Sequence, residues 1–230
     1  AALLGRDAEA REYSRLADSV RTALNDTFLG GSQYAAIRVS PVDDHPNQTS
    51  NLLPLYLDMV PGDRIEQVLA SLLKSVVVLQ DYHLDTGILG TRYLLDVLTR
   101  NGQGEVAFRV ATQKSYPGWG YMIAEGATTL WERWEKLGGH AMNSQNHIML
   151  GSVDAWFYRV LAGLSPALPG WKKVRIRPHV LGDLTFVEAS LETVSGRIGT
   201  AWKRTGDVFS LEVRVPVGST SPTATPRTSM

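Results

Sequence analysis

The residues best suited to do chemistry are concentrated between Tyr116 and Trp134. This segment holds three of the six tryptophans, three glycines and two candidate acids, Glu125 and Glu132. Tryptophan and tyrosine rings offer flat apolar faces to the C–H surfaces of a sugar and polar edges to its hydroxyls, and a carboxylate can transfer a proton. The segment therefore suits a carbohydrate site, although its composition alone fits a structural aromatic core equally well.

Glu132 has two interpretations. If the segment is helical, Glu132 can pair with Lys136 four residues later on a solvated face, which stabilises a helix only slightly. Beside Trp131 it could instead act as a general base. The pattern alone favours the ion pair.

Asp85 and His147 are open in the same way. Asp85 either closes an Asx turn or binds substrate hydroxyls. His147 lies in the opening turn of the last predicted helix, where a histidine is most often a core or capping residue but can also line a pocket.

The composition excludes several other classes of protein. The 230 residues carry 23 basic and 23 acidic side chains, so the excess positive charge of a nucleic-acid-binding protein is missing. No apolar run approaches the ~18 residues of a membrane-spanning helix, and there is no cysteine for a disulfide or thiolate site, which leaves the compartment undecided. Asp43, Asp44 and His45 have no partner at metal-ligand spacing and indicate a solvated turn. We therefore expect no nucleic-acid partner, no membrane and no metal.

Up to about residue 165, the apolar spacing is that of amphipathic helices joined by short polar connections. The buried side of the last helix is expected to include Ile148. The spacing predicts helices over Asp7–Phe28, from Asn47 to the break at Pro61-Gly62, after a cap at Asp63, and over residues 91–98, 105–111 and 144–164. Consecutive helices on short loops pack as hairpins, so residues 1–165 are predicted to form a helical domain.

After Gly170 the apolar period changes to two. Turn signals at residues 181–183, 195–196 and 205–207 divide this part into four or five antiparallel strands. Residues 166–218 are therefore predicted to form part of a β-sandwich. Residues 219–230 are rich in Ser, Thr and Pro and are predicted to be disordered.

Motifs spread along most of the chain carry a family resemblance. The longest is the aromatic segment itself, in which Gly126-Ala127-Thr128-Thr129 leads to Trp131-Glu132. Collinear motifs stand at Gln48-Thr49 and at residues 83–91, 142–147, 156–163, 169–171 and 176–178. Together they resemble the bacterial α-L-rhamnosidases of glycoside hydrolase family 78, from Ala1 to about Pro216.

The resemblance implies a partial (α/α)6 barrel followed by a β-sandwich, and an inverting hydrolysis of terminal α-L-rhamnosyl groups. In such a reaction one carboxylic acid protonates the leaving oxygen while a carboxylate activates water on the opposite face. Glu132 matches the family's general base, which reverses the preference drawn from its spacing. His147 matches a sugar-contacting histidine, Asp85 lies in a matching motif, and Trp119, Tyr121 and Trp131 would wall the pocket. Trp134 would be core, and no metal or organic cofactor is implied.

The chain departs from the family at the general acid. The family carries that acid in an upstream motif of the type Asp-x-x-x-Arg-Asp-Glu-Arg, and no such segment occurs in these 230 residues. We therefore expect the chain alone to be inactive, with open inward helix faces that would need self-association or the N-terminal half of the barrel. The alternatives are a non-catalytic carbohydrate-binding module and an (α/α)6 glycosidase of another sugar specificity.

Overall fold

The computed structural model describes residues 1–35, 47–136 and 144–221, and the backbone of 227–228. Backbone contacts divide the chain into two compact units, Ala1–Thr86 and Gly87–Met230. The described part is mainly helical and then changes to antiparallel strands, which confirms the predicted fold class. None of its helices combines the length and apolar character needed to cross a membrane.

The described residues of the first unit form three α-helices and one short hairpin. The helices are α1 (Asp7–Phe28), α2 (Gln48–Tyr56) and α3 (Ile65–Leu73), and the hairpin joins β1 (Leu29–Gly30) to β2 (Gln33–Tyr34). One core cluster of this unit consists of Tyr34, Val60 and Val68, with partly buried apolar side chains of α1 and α2 packed against it. The bounds of α1 agree with the prediction, yet none of its residues is buried.

Two predictions at the helix ends of this unit are wrong. The helix capped by Asn47 ends at Tyr56 instead of reaching Pro61, because the chain closes a wider turn in which the Met59 amide donates to the Pro54 carbonyl. Asp63 does not cap α3: it lies inside a 3₁₀ turn, Gly62–Arg64, and no side chain caps α3. A π-helical turn, Lys74–Leu79, follows α3 directly.

In the second unit α4 (Ile88–Arg100) is the central helix. It packs against α5 (Gly104–Ala111) and α7 (Ser152–Trp156), and the short α6 (Trp119–Ala124) lies between them in sequence. Leu94 and Leu98 of α4 are fully buried. The indole Nε1 of Trp156 donates to Thr99 Oγ1 at 2.9 Å, which ties α7 to the end of α4.

The prediction of one long helix over residues 144–164 is wrong. A 3₁₀ turn (Ile148–Gly151), α7 and a π-helical turn (Phe157–Leu161) follow one another, and Ile148 is 84% exposed instead of buried. The helical turns end at Leu161, and the chain then turns at Gly163, whose φ is 74°. A Cβ at Gly163 would lie 2.2 Å from the Pro178 nitrogen, so only glycine fits this turn.

Most of the described strands form small antiparallel sheets. β3 (Leu164–Pro166) pairs with β4 (Val174–Ile176), and a three-stranded sheet contains β6 (Phe186–Thr193), β7 (Gly196–Thr205) and β8 (Val208–Arg214). The predicted turns at residues 195–196 and 205–207 connect these three strands. A core cluster joins β3, β4 and β7 and consists of Leu164, Val174, Ile176 and Ile198. The indole Nε1 of Trp202 donates to the Leu161 carbonyl at 2.8 Å.

Two parts of the C-terminal segment, residues 219–221 and 227–228, are described, and both contain backbone pairing. Thr220 pairs with Lys173, and β9 (Arg227–Thr228) runs parallel to β5 (His179–Val180). Backbone pairing of this kind needs little apolar side-chain burial, which explains why the composition does not reveal it.

Candidate active site

The aromatic segment is only briefly helical. It passes close to the preceding loop, since a Cβ at Gly120 would lie 2.5 Å from the Gln113 carbonyl oxygen. Helix α6 ends at Ala124, and residues 125–136 continue without helix or strand. The segment is therefore a long loop anchored at one end by a one-turn helix.

Glu132 lies in this loop, and its partner is backbone. Its amide donates to the Ser144 carbonyl at 2.9 Å, and its Oε2 accepts from the Ser144 amide at 2.9 Å. Two further hydrogen bonds join the same two parts of the chain: the His147 amide donates to the Leu130 carbonyl at 2.8 Å, and Thr129 Oγ1 donates to the Gln145 carbonyl. Residues 129–132 and residues 144–147 are thus two neighbouring segments joined by hydrogen bonds, and we call this pair of segments the Glu132 ladder.

The predicted ion pair between Glu132 and Lys136 is wrong, because residues 132–136 are not helical. Lys136 Nζ instead pairs with Glu125 Oε2 at 3.0 Å. Arg133, the other neighbouring cation, pairs with Glu135 at 2.6 Å. Both cations next to Glu132 in sequence therefore pair with other carboxylates.

The Glu132 ladder also places His147. The ring is half-buried, and its Nδ1 accepts from the Met149 amide at 3.4 Å, so His147 caps the 3₁₀ turn that follows. A neutral imidazole that accepts through Nδ1 carries its proton on Nε2. The capping interpretation is therefore confirmed, and it leaves a donor on the far side of the ring.

The aromatic side chains form two edge-to-face groups. Trp119 and Trp134 are buried against each other at 5.3 Å between ring centroids, and Trp119 Nε1 donates to the Leu150 carbonyl. Tyr121 stands edge-to-face on Trp131 at 6.5 Å. Trp134 is core, as expected. Trp119 and Trp131 are only 7% and 5% exposed, while Tyr121 is half-buried; their contact with a sugar stays a prediction.

Arg133, Glu135 and Tyr116 interact electrostatically next to the Glu132 ladder. The hydrogen bond from Arg133 holds the pKa of Glu135 below its ordinary value. Partial burial, with Glu135 as a weaker cause, raises the pKa of Tyr116. Arg133 and Glu135 are two residues apart, which is not the i,i+3 or i,i+4 spacing of a helical ion pair, so a helical pattern does not predict this contact.

Asp85 belongs to the first unit and is positioned by Gln48. The fully buried Gln48 donates from Nε2 to the His83 carbonyl at 2.8 Å and accepts the Asp85 amide on Oε1 at 2.9 Å. This bidentate contact leaves the Asp85 side chain exposed. Gln48 stands in one of the resembling motifs, but its spacing of 35 and 37 residues from its partners gives no local signal.

Asp43, Asp44 and His45 lie outside the described residues, as do Met142 and Asn143. In the parts of the chain that are described, no three His, Asp or Glu side chains come together as metal ligands.

Matches to two family descriptions define the class of the protein. Residues 1–161 match the bacterial alpha-L-rhamnosidase 6 hairpin glycosidase domain, and residues 163–228 match the bacterial alpha-L-rhamnosidase C-terminal domain. The helical part is thus of the six-hairpin glycosidase class.

Individual relatives agree with these matches. The chain is 35% identical to an alpha-L-rhamnosidase of Alteromonas sp. (strain LOR), covering 93% of this chain and 23% of that protein. A solved alpha-L-rhamnosidase from Dictyoglumus thermophilum is 51% identical, with a TM-score of 0.87 over 95% of this chain and 24% of the other. The Streptomyces avermitilis alpha-L-rhamnosidase, solved with L-rhamnose, is 33% identical, with a TM-score of 0.84 over 96% and 21%.

The chain belongs to the bacterial α-L-rhamnosidase family. It spans about a quarter of the length of these relatives.

Proposed function

We propose that this chain carries the general-base side of an inverting α-L-rhamnosidase site, with Glu132 as the base. The observation that supports this most directly is the Glu132 ladder: a half-buried carboxylate, fixed by a backbone amide in a loop beside Trp131. A general base must be held where it can reach the attacking water, and a donor on one oxygen fixes its direction.

The hydrogen bond to Ser144 uses Oε2 of Glu132. In the proposed mechanism Oε1 accepts a proton from the attacking water as its oxygen bonds to the anomeric carbon. The Nε2–H of His147 donates to a sugar hydroxyl, and Tyr121 and Trp131 contact the sugar ring. No metal or organic cofactor is needed for these steps.

The general acid of this mechanism lies beyond these 230 residues. In an inverting enzyme the acid and base carboxyls stand ~6.5–9.5 Å apart, with the water and the sugar between them. We therefore propose that the chain alone turns over little substrate, and that the substrate, a terminal α-L-rhamnosyl group, is bound when the remaining part of the barrel is present.

A chimera tests Glu132. The aligned quarter of the Dictyoglumus thermophilum enzyme is replaced by this chain, which the 51% identity and the TM-score of 0.87 favour structurally. Glu132→Gln should lower kcat for p-nitrophenyl α-L-rhamnoside by ~10²–10⁴-fold, the usual contribution of a general base. Glu135→Gln, three residues away, is the matched control and should leave kcat nearly unchanged.

Normal turnover by Glu132→Gln, with a circular dichroism spectrum like that of the parent chimera, would assign Glu132 a structural role. The same chimera tests inversion: proton NMR of the first-formed sugar should show the β anomer of L-rhamnose. An initial α anomer would show retention and contradict the proposed mechanism.

A non-catalytic carbohydrate-binding role is favoured by one fact, namely that the acid motif is missing from the 230 residues while the aromatic segment is present. Calorimetry of this chain with L-rhamnose distinguishes the two. Saturable binding that Tyr121→Ala abolishes, with no hydrolysis by the chimera, would favour the binding module.

A further inference from the structure

The side chain of Ser144 folds back on its own segment. Its Oγ donates to the Asn146 carbonyl at 3.0 Å and accepts the Asn146 amide at 3.1 Å. A serine hydroxyl that bonds backbone two residues later closes a tight local turn. Ser144 therefore determines the path of residues 144–146.

That path decides where the Ser144 backbone points. Its amide donates to Glu132 Oε2 and its carbonyl accepts the Glu132 amide, both at 2.9 Å. The two backbone polar groups of one residue thus hold both the main chain and the carboxylate of Glu132. If the turn opened, the carboxylate would lose its donor and regain rotamer freedom.

Charged groups near the carboxylate do not replace this donor. Arg133, which interacts electrostatically with Glu132, makes its close contact to Glu135, and Lys136 makes its own to Glu125. Among the residues that the structure describes, the other titratable groups around the loop are Tyr116, Tyr121 and His147, and the Nδ1 of His147 accepts the Met149 amide.

We propose that Ser144 is a positioning residue for the Glu132 carboxylate: its hydroxyl closes the 144–146 turn, and the turn aims the Ser144 amide at Oε2. The consequence for catalysis rests on the proposed role of Glu132 as the base.

The direct test is ¹H–¹⁵N NMR of the 230-residue chain across a pH titration. An amide that donates to a carboxylate shifts as that carboxylate is protonated, so the Ser144 amide should show a large pH-dependent shift in the parent chain. Glu132→Gln should abolish this shift. Persistence of the shift in Glu132→Gln would assign it to His147 or Tyr116 and overturn the proposal.

Three variants separate the turn from the fold. Ser144→Ala should lose most of the pH-dependent shift at residue 144, while Ser144→Thr, which keeps the hydroxyl, should retain it. Thr129→Val is the matched control, because it removes another side-chain bond of the same ladder and should leave the shift intact. Unchanged indole signals of Trp156 and Trp202 show that the variants are folded.

The activity of the chimera then distinguishes this inference from the proposed function. Ser144→Ala should lower kcat about tenfold or more with KM little changed, and Ser144→Thr should restore it. An unchanged amide shift in Ser144→Ala overturns the inference whatever the activity. Full activity of Glu132→Gln overturns the proposed function, while a lost shift in Ser144→Ala would still support the positioning of the carboxylate.

Discussion

Helices α1 and α4 carry the same kind of amphipathic pattern but differ completely in burial. Seven of the 13 residues of α4 are buried. None of the 22 residues of α1 is buried, and Tyr13, Leu16 and Val20 on its apolar stripe are 62%, 57% and 47% exposed. Within the described residues, Leu24 and Phe28 near the end of α1 pack against a core cluster.

Periodicity determines which residues share a face of a helix, whereas the burial of that face depends on whether another part of the protein packs against it. Helix α4 is covered by α5 and α7 within the same unit. The relatives contain about four times as much chain. We therefore expect the stripe of α1 to be covered by the other part of the helical domain or by a second copy of this chain.

Of the substitutions that compare the two helices, one in α4 should have the largest effect on the free energy of unfolding. Leu98 is fully buried, so Leu98→Ala should lower the free energy of unfolding by ~2–5 kcal/mol through lost burial and a cavity. Urea denaturation of the 230-residue chain measures it. A loss as small as that of an exposed leucine would mean that α4 is not the core of its unit.

The matched change in α1 should have a much smaller effect. Leu16→Ala should alter the free energy of unfolding by no more than ~0.5 kcal/mol, as is usual for an exposed side chain. Leu16→Glu should also reduce any self-association of the chain, measured by sedimentation, because it places a charge in the apolar stripe. A large destabilisation by Leu16→Ala would show that α1 is already covered within this chain.

The smallest effect is expected at the ion pair beside the Glu132 ladder. Because the pKa of Glu135 is lowered in the folded state, its contribution to stability is present above the unfolded-state pKa of about 4.3 and is lost as the pH falls through the lower folded value. Parent and Glu135→Gln should therefore differ slightly in Tm near pH 7 and converge in strong acid. A difference that grows in acid would contradict the lowered pKa.

The sequence predicts elements well where the determining contacts are local. The bounds of α1 and the turns between β6, β7 and β8 follow from spacing and turn residues. The helix expected over residues 144–164 fails because residues 144–147 pair with residues 129–132, 12 to 17 positions earlier, and because the chain turns at Gly163. Local periodicity contains no information about such pairing.

The candidate site shows the same limit. Spacing alone favours an ion pair between Glu132 and Lys136, and only the family resemblance identifies Glu132 as a base. Ser144 contacts Glu132 through its backbone amide, 12 residues away, and Gln48 contacts the backbone beside Asp85 through its side chain, 35 and 37 residues away. Contacts over such distances in sequence become visible only in the structure.

We have proposed that this chain holds the base side of a rhamnosidase site and that the general acid is not among its 230 residues. The most direct test is the release of rhamnose from p-nitrophenyl α-L-rhamnoside by the purified 230-residue chain, measured beside the chimera. We expect the chain alone to release rhamnose at the uncatalysed background rate and the chimera to show clear turnover. Turnover by the chain alone at a rate comparable with that of the Dictyoglumus thermophilum enzyme would contradict it.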